Sequence, residues 1–221
     1  FRSDNHTKAE ISNSDFLQQC NLDTSSATLP EIVNPLTPGL DFLNVSEEEV
    51  LETLLSLDIT KASGPDEISP KLLKEAAPAI SSSLAKLFNI SLGKKKFPAL
   101  WKKANVCPLH KKGPENICNN YRPVSLLSCV GKVFEKIVFK NVFNYFRDNL
   151  VISTHQSGFT PGDSTVNQLL LLYHELCLAV DHQKEVRIIF LDISKAFDKV
   201  WHAGLLHKLR KNGTSGNLLE W

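Results

Sequence analysis

Apolar side chains recur along this chain at two different spacings, and the spacing changes wherever turn residues intervene. Ser46-Glu-Glu-Glu49 has the form of a capping box, and Val50, Leu51, Leu54 and Leu55 follow it at helical intervals. A short helix over residues 46–58 is expected. Gly64-Pro65-Asp66 marks a turn, and Ser69-Pro70 offers an N-cap with proline in the first helical position. Helical spacing then runs through Leu72, Leu73, Ala76 and Ala77, restarts after Pro78, and continues over Ile80, Leu84, Leu87 and Phe88 to Gly93. Residues 104–111 and 121–127 read as two strands of one hairpin, with a long polar tip holding Gly113, Pro114 and three asparagines. Val133, Phe134, Ile137, Val138, Val142, Phe143 and Phe146 predict an amphipathic helix over 132–148. Residues 158–163 form a loop, after which Ser164 can cap a helix through Val166, Leu169, Leu170, Tyr173, Leu176 and Cys177. Residues 186–191 are β-branched and aromatic and suit a buried strand that ends in Asp192.

Helices outnumber strands, and the strands lie far apart in sequence, which points to an α+β fold. Residues 1–40 are rich in Ser, Asn, Thr, Asp and Pro, with turn signals at Asn34-Pro35 and Pro38-Gly39, and read as a loosely docked lead-in. The organisation expected is therefore a lead-in over 1–45 and one domain over 46–221.

With 221 residues the chain can bury a sizeable core. Its net charge of +1 gives no global hint of a nucleic-acid partner, so any such hint must be local. Its apolar runs fall far short of the about 20 residues of a spanning helix, and no membrane partner is expected. Five cysteines without a Cys-x-x-Cys pair fit neither a disulfide framework nor a zinc ribbon and point to a reducing compartment. Cys107-Pro-Leu-His110 has metal-like spacing, but with no second ligand pair nearby two ordinary strand residues are the simpler reading. The absence of methionine, the start at Phe1 and the apolar Leu218-Leu219-Glu220-Trp221 end suggest a piece of a longer reading frame.

Three features could carry chemistry. Asp192 stands where a strand end would present it to a hard divalent cation. The alternative is that Asp192 or Asp198 caps the next helix. Lys94, Lys95, Lys96, Lys102, Lys103, Lys111 and Lys112 lie in a segment without acidic residues, interleaved with Phe97 and Trp101, a combination that suits phosphates and stacked bases as well as a solvated face. The loop from Gln156 to Thr165 runs into a helix N-terminus and could approach phosphate, although on spacing alone a plain turn and cap is the simpler reading.

Taken together, Ser63-Gly64-Pro65-Asp66, the stretch from Trp101 to Gly113, Asn120-Tyr121-Arg122-Pro123-Val124-Ser125, the Gln156 loop and Phe190-Leu-Asp192-Ile-Ser-Lys-Ala-Phe-Asp198 resemble, in order, the motifs of reverse transcriptases from non-LTR (LINE-type) retrotransposons. The resemblance covers residues 46–221. It implies a right-hand polymerase fold, present here as fingers and part of the palm. It further implies RNA-directed DNA synthesis on a template RNA and DNA primer from deoxynucleoside triphosphates, with two Mg²⁺ ions. By the same resemblance Asp192 is the catalytic carboxylate and a metal ligand, with the Ile193 carbonyl beside it. Lys111, Arg122, Ala196 and Phe197 contact the nucleotide, Phe197 excluding a 2′-hydroxyl. Lys102, Lys103, Gly158 and Phe159 contact nucleic acid.

Two positions depart from the family pattern: Thr160 stands where Arg is usual, and Glu67 where Gly is common. The family's second carboxylate motif is expected beyond Trp221, so the isolated chain is expected to be inactive and, with its 186–191 strand unpaired, poorly soluble. Its parent element would act inside the cell, in nucleus and cytoplasm. The alternative function is a non-catalytic nucleic-acid-binding remnant of a retroelement.

Overall fold

The computed structural model describes residues 4–33 and 38–221, and the Asn34-Pro35 turn signal lies outside them. Helices and one small sheet make up the fold, in agreement with the mixed pattern of the sequence. Two compact units are formed: Phe1–Tyr145 with Lys195–Trp221, and Phe146–Ser194.

The first unit is built around α2 (Glu47–Leu55), α3 (Pro70–Glu75), α4 (Ala77–Gly93) and most of α5 (Cys129–Asp148). The capping box forms in both directions: Ser46 accepts from the Glu49 amide, and the Glu49 carboxylate accepts from the Ser46 amide. Ser69 caps α3 with Pro70 in its first turn, and the chain breaks at Ala76 before restarting as α4. Apolar positions at three- and four-residue spacing then meet in one core, with Val50, Leu54, Phe88, Leu92, Val133, Phe134 and Ile137 almost wholly removed from water. At its centre the rings of Phe88 and Phe134 stack at 4.3 Å, and Trp101 meets both edge-on. Asn89 ties the segment before α2 to α4: its amide nitrogen donates to the Val45 carbonyl at 2.8 Å and its Oδ1 accepts from the Val45 amide at 2.9 Å.

The turn before α3 is unusually constrained. A Cβ on Gly64 would lie 2.5 Å from the backbone of Leu127 and Ser128, so only glycine fits. Three residues on, Glu67 holds φ at +57° while its amide donates to the Gly64 carbonyl at 3.1 Å. That is left-handed backbone, which a side-chain-bearing residue adopts at a cost of about 1–2 kcal/mol. The departure from glycine at this position is therefore a strained one. Glu67→Gly is expected to raise unfolding stability by about 1 kcal/mol after the entropy cost of glycine, a shift that urea denaturation resolves.

Beyond these elements the structure departs from the sequence expectations at four places. The lead-in carries a fifteen-residue helix, α1 (Asn5–Gln19), which Asp4 caps by accepting from the Thr7 amide. Its periodicity is weak because it buries one side chain only, Phe16 at 9% exposure. After α4, residues Ala99–Lys102 form a short 3-10 turn. Residues 186–191 are not a strand: among the described residues they pair with nothing, and Phe190 and Leu191 are 82% and 92% exposed. A β-branched run becomes a strand only when another strand supplies its hydrogen-bond partners, and the two strands present pair with each other. Finally, α7 (His202–Lys211) and α8 (Gly216–Glu220) return the chain to the core. Leu218 is buried there, and the Trp221 indole donates to Ser91 Oγ at 2.9 Å.

The second unit holds α6 (Thr165–Asp181), capped by Ser164 accepting from the Asn167 amide, and no residue of that helix is buried. No helix among the described residues is long and apolar enough to cross a membrane.

Candidate nucleotide and nucleic-acid site

β1 (Ala104–His110) and β2 (Tyr121–Leu127) pair antiparallel, with Leu109 opposite Arg122 and His110 opposite Tyr121. The Lys111 amide donates to the Asn120 carbonyl at 2.8 Å and carries the ladder one step further. Side chains alternate between the faces of a strand, so Lys111 falls on the face of Leu109, diagonal to Arg122. Diagonal neighbours in such a ladder stand about 7–8 Å apart, a span that two long cationic side chains can close around one polyphosphate. Both residues are exposed. α1 stands across a cleft of about 550 Å³ from the opposite face, with Lys8 and Phe16 on its side and Ala104, Asn105, Val106 and Pro108 on the strand. A second cleft joins Ile11 to Pro108 and Tyr121. α1 thus lies mainly behind the hairpin, leaving the Lys111 and Arg122 face open.

The hairpin loop closes on itself. His110 Nε2 lies 3.0 Å from the Gly113 carbonyl, the Asn120 amide group donates to the Pro114 carbonyl, and Tyr121 Oη donates to the Glu115 carbonyl. His110 and Cys107, which share metal-like spacing, project to opposite faces of β1 because three residues apart on a strand is an odd step. All five cysteines are free thiols, and burial pushes the Cys129 thiol upward from its ordinary value.

Ala196 and Phe197 lie in a turn over residues 194–199 that precedes α7, and both are exposed. The turn is held by the Lys195 carbonyl, which accepts from the amides of Asp198 at 3.1 Å and Lys199 at 3.0 Å. Lys195 itself has φ at +53°. Its ammonium donates to Asn119 Oδ1 at 3.4 Å, which places this turn against the hairpin loop. Neither Asp192 nor Asp198 is a helix cap, since the residue at the start of α7 is Trp201.

Lys102 and Lys103 are exposed at the end of the 3-10 turn. Phe97 and Trp101, which the sequence leaves open between stacked bases and a solvated face, are half-buried and pack against the core: Trp101 meets Phe88 at 5.9 Å and Phe97 meets Trp221 at 5.4 Å. Packing part of each large ring against the core removes apolar area from water and leaves less of it for stacking. Lys95 is engaged by Glu220 at 2.7 Å, so the basic run is in part neutralised by α8.

The second unit carries Gly158, Phe159, Asp192 and Ile193. Phe159 has φ at +59° in a loop closed by Thr160 Oγ1 donating to the Gln156 carbonyl at 2.8 Å and by Gln156 Nε2 donating to the Gly158 carbonyl at 3.1 Å. Hydrogen bonds from Ser157, the Ser164 amide and Asn167 hold the Asp163 carboxyl below the usual carboxylate range. Asp192 and Ile193 are exposed, and among the described residues no three His, Cys, Asp or Glu side chains come together to hold a metal ion. The structure therefore gathers Lys111, Arg122, Ala196 and Phe197 within one unit and leaves the carboxylate in the other. Asn119 and Lys195 were not singled out from the sequence. Their contact spans 76 residues, and the only local signal was a lysine inside the Ile-Ser-Lys-Ala-Phe-Asp run.

A family model described as reverse transcriptase (RNA-dependent DNA polymerase) matches residues 109–220. The chain is 34% identical over 185 residues to the Drosophila melanogaster protein named "Probable RNA-directed DNA polymerase from transposon BS", covering 83% of this chain and 20% of that relative. It is 31% identical over 180 residues to the RNA-directed DNA polymerase from mobile element jockey of the same species, covering 80% and 20%. To the Pol polyprotein from type-1 retrotransposable element R1 of Bradysia coprophila it is 29% identical over 184 residues, covering 82% and 17%. The chain spans about a fifth of the length of the curated relatives it matches.

Proposed function

This chain belongs to the reverse transcriptase family, among the RNA-directed DNA polymerases of non-LTR retrotransposons, and from that membership we propose that it forms fingers and part of the palm of a right-hand polymerase. Residues 46–221 are the polymerase portion and 1–45 lead into it. The reaction is nucleotidyl transfer from a deoxynucleoside triphosphate to a primer 3′-hydroxyl on an RNA template. The observation that carries this reading is the hairpin register, which sets Lys111 and Arg122 on one open face.

Each residue has a task in that reaction. Arg122 grips phosphate oxygens with a planar fork, and Lys111 adds a point charge beside it. The backbone at Ala196 lies under the triphosphate. The ring of Phe197 stands where a ribose 2′-hydroxyl would need room and a hydrogen-bond partner, and provides neither. Lys102 and Lys103 hold the phosphate backbone of the template, and Gly158 and Phe159 pass close to it.

The family is generally divalent-metal dependent, and such ions, when bound, would supply activation of the attacking hydroxyl and stabilisation of the departing pyrophosphate. One carboxylate, Asp192, and one carbonyl, Ile193, do not fit two Mg²⁺ ions, each of which demands near-octahedral oxygen coordination. The 221 residues alone are accordingly expected to be inactive.

The test is steady-state primer extension by the full-length gene product on an RNA template. Arg122→Ala is expected to raise the deoxynucleotide KM about tenfold or more, as loss of charge-assisted hydrogen bonds implies. Phe197→Ala is expected to improve ribonucleotide use relative to deoxynucleotide use by about a hundredfold. Unchanged KM and unchanged sugar discrimination would contradict the assignment of these residues.

A further inference from the structure

We propose that Lys195 is a third cation for the nucleotide triphosphate, kept at the hairpin loop by Asn119 until nucleotide arrives; this rests on the nucleotidyl-transfer reading above. Three observations converge on it. The residue adopts left-handed backbone, φ +53°, without being glycine. Such a conformation costs about 1–2 kcal/mol and persists where the surroundings fix it, here through two amides donating to the Lys195 carbonyl. Its ammonium reaches across 76 residues to Asn119, in the 3-10 turn Cys118–Asn120 that leads directly into β2 and Arg122. Asn120, the next residue, accepts from Lys111. The acceptor of this third cation, Asn119, is therefore the chain neighbour of the residue whose carbonyl makes the ladder step beside Lys111.

The chemistry of the contact also favours exchange. Asn119 offers a neutral carbonyl oxygen at 3.4 Å, both side chains are exposed, and among the described residues Lys195 forms no ion pair. A long neutral hydrogen bond at the surface contributes little, whereas an ammonium on a triphosphate oxygen makes a charge-assisted one. The flexible four-carbon stem of lysine allows the ammonium to leave Asn119 for phosphate without moving the backbone. Lys195 is in this sense a positioning residue for the incoming nucleotide, and Asn119 its resting partner.

Primer extension by the full-length gene product tests this, with wild type, Lys195→Gln, Lys195→Arg, Asn119→Ala and Arg122→Ala compared, and inorganic tripolyphosphate used as a competitive probe. Lys195→Gln is expected to raise the deoxynucleotide KM and the tripolyphosphate inhibition constant together by about tenfold, with little change in kcat or melting temperature. Lys195→Arg should restore both to within about threefold, because it keeps the charge. Asn119→Ala removes the competing acceptor and is expected to lower KM by up to about twofold. Equal losses in Lys195→Gln and Asn119→Ala, or a fall in kcat with KM unchanged, would overturn the proposal in favour of a structural latch. If Arg122→Ala raises KM and Lys195→Gln does not, the role of Lys195 falls and the nucleotide reading stands. If wild type incorporates nothing, both fall.

Discussion

Truncating Phe134 to alanine is expected to cost about 3–5 kcal/mol of unfolding free energy, the largest stability effect of any single side chain considered. The ring is fully buried, stacked on Phe88 at 4.3 Å and met edge-on by Trp221 at 4.9 Å and Trp101 at 6.2 Å. Its removal forfeits the transfer energy of a large apolar side chain, opens a cavity between rigid rings that relax poorly, and deletes several aromatic pairs worth about 0.5–1.5 kcal/mol each. Urea denaturation followed by tryptophan fluorescence measures it, since two of the three tryptophans pack on this ring. Phe134→Leu should recover more than half of the loss. A cost below about 1 kcal/mol would mean that α5 is not seated on α4 as described.

Because Trp221 packs on Phe134 and donates to Ser91, the same substitution loosens α8 from the core. α8 lies next to α7, and residues 213–218 pair with the backbone at Leu40 and Asp41. The core cluster thus anchors the segment that follows the Lys195 turn. Stability and site geometry are coupled through it.

What the sequence made legible was local. The Ser46 capping box, the proline-started α3 and the hairpin all follow from interactions between residues a few positions apart, and each is found in the structure, whereas the break expected at Pro78 falls at Ala76, with Pro78 inside the first turn of α4. That Lys111 and Arg122 stand near the same end of the hairpin follows in turn, but their diagonal placement is set by the ladder register found in the structure. What was not legible depends on distant partners. Residues 186–191 have the composition of a strand, but composition does not supply a neighbouring strand. Phe97 and Trp101 could stack on bases or on other rings, and only the approach of Phe88, Phe134 and Trp221 decides between them. The departure from the family pattern at Glu67 is visible in the sequence, but the strain it carries is visible only in the positive φ of the backbone there. The Lys195 contact with Asn119 joins residues 76 apart, and beyond the lysine in its own run no local pattern points to it. Only Cys107 and His110 could have been separated in advance, by the alternation of a strand.

The second large effect concerns Asp192. Under the proposed function Asp192 would be one of the carboxylates that hold the metal ions, and on that reading Asp192→Ala is expected to lower nucleotide incorporation by on the order of a thousandfold or more. Folding should be unaffected, because Asp192 is exposed and caps no helix. A loss of activity with unchanged melting would therefore report chemistry rather than structure.

Primer extension on an RNA template with deoxynucleotides and Mg²⁺, comparing the 221-residue chain, the full-length gene product and its Asp192→Ala variant, tests the central claim most directly. The account predicts incorporation by the full-length wild type alone, with template RNA required and the Asp192→Ala protein folded but inactive. Undiminished incorporation by the Asp192→Ala protein would remove Asp192 from the chemistry. RNA binding without incorporation by any of the three would instead identify a nucleic-acid-binding remnant and contradict the polymerase assignment for this chain.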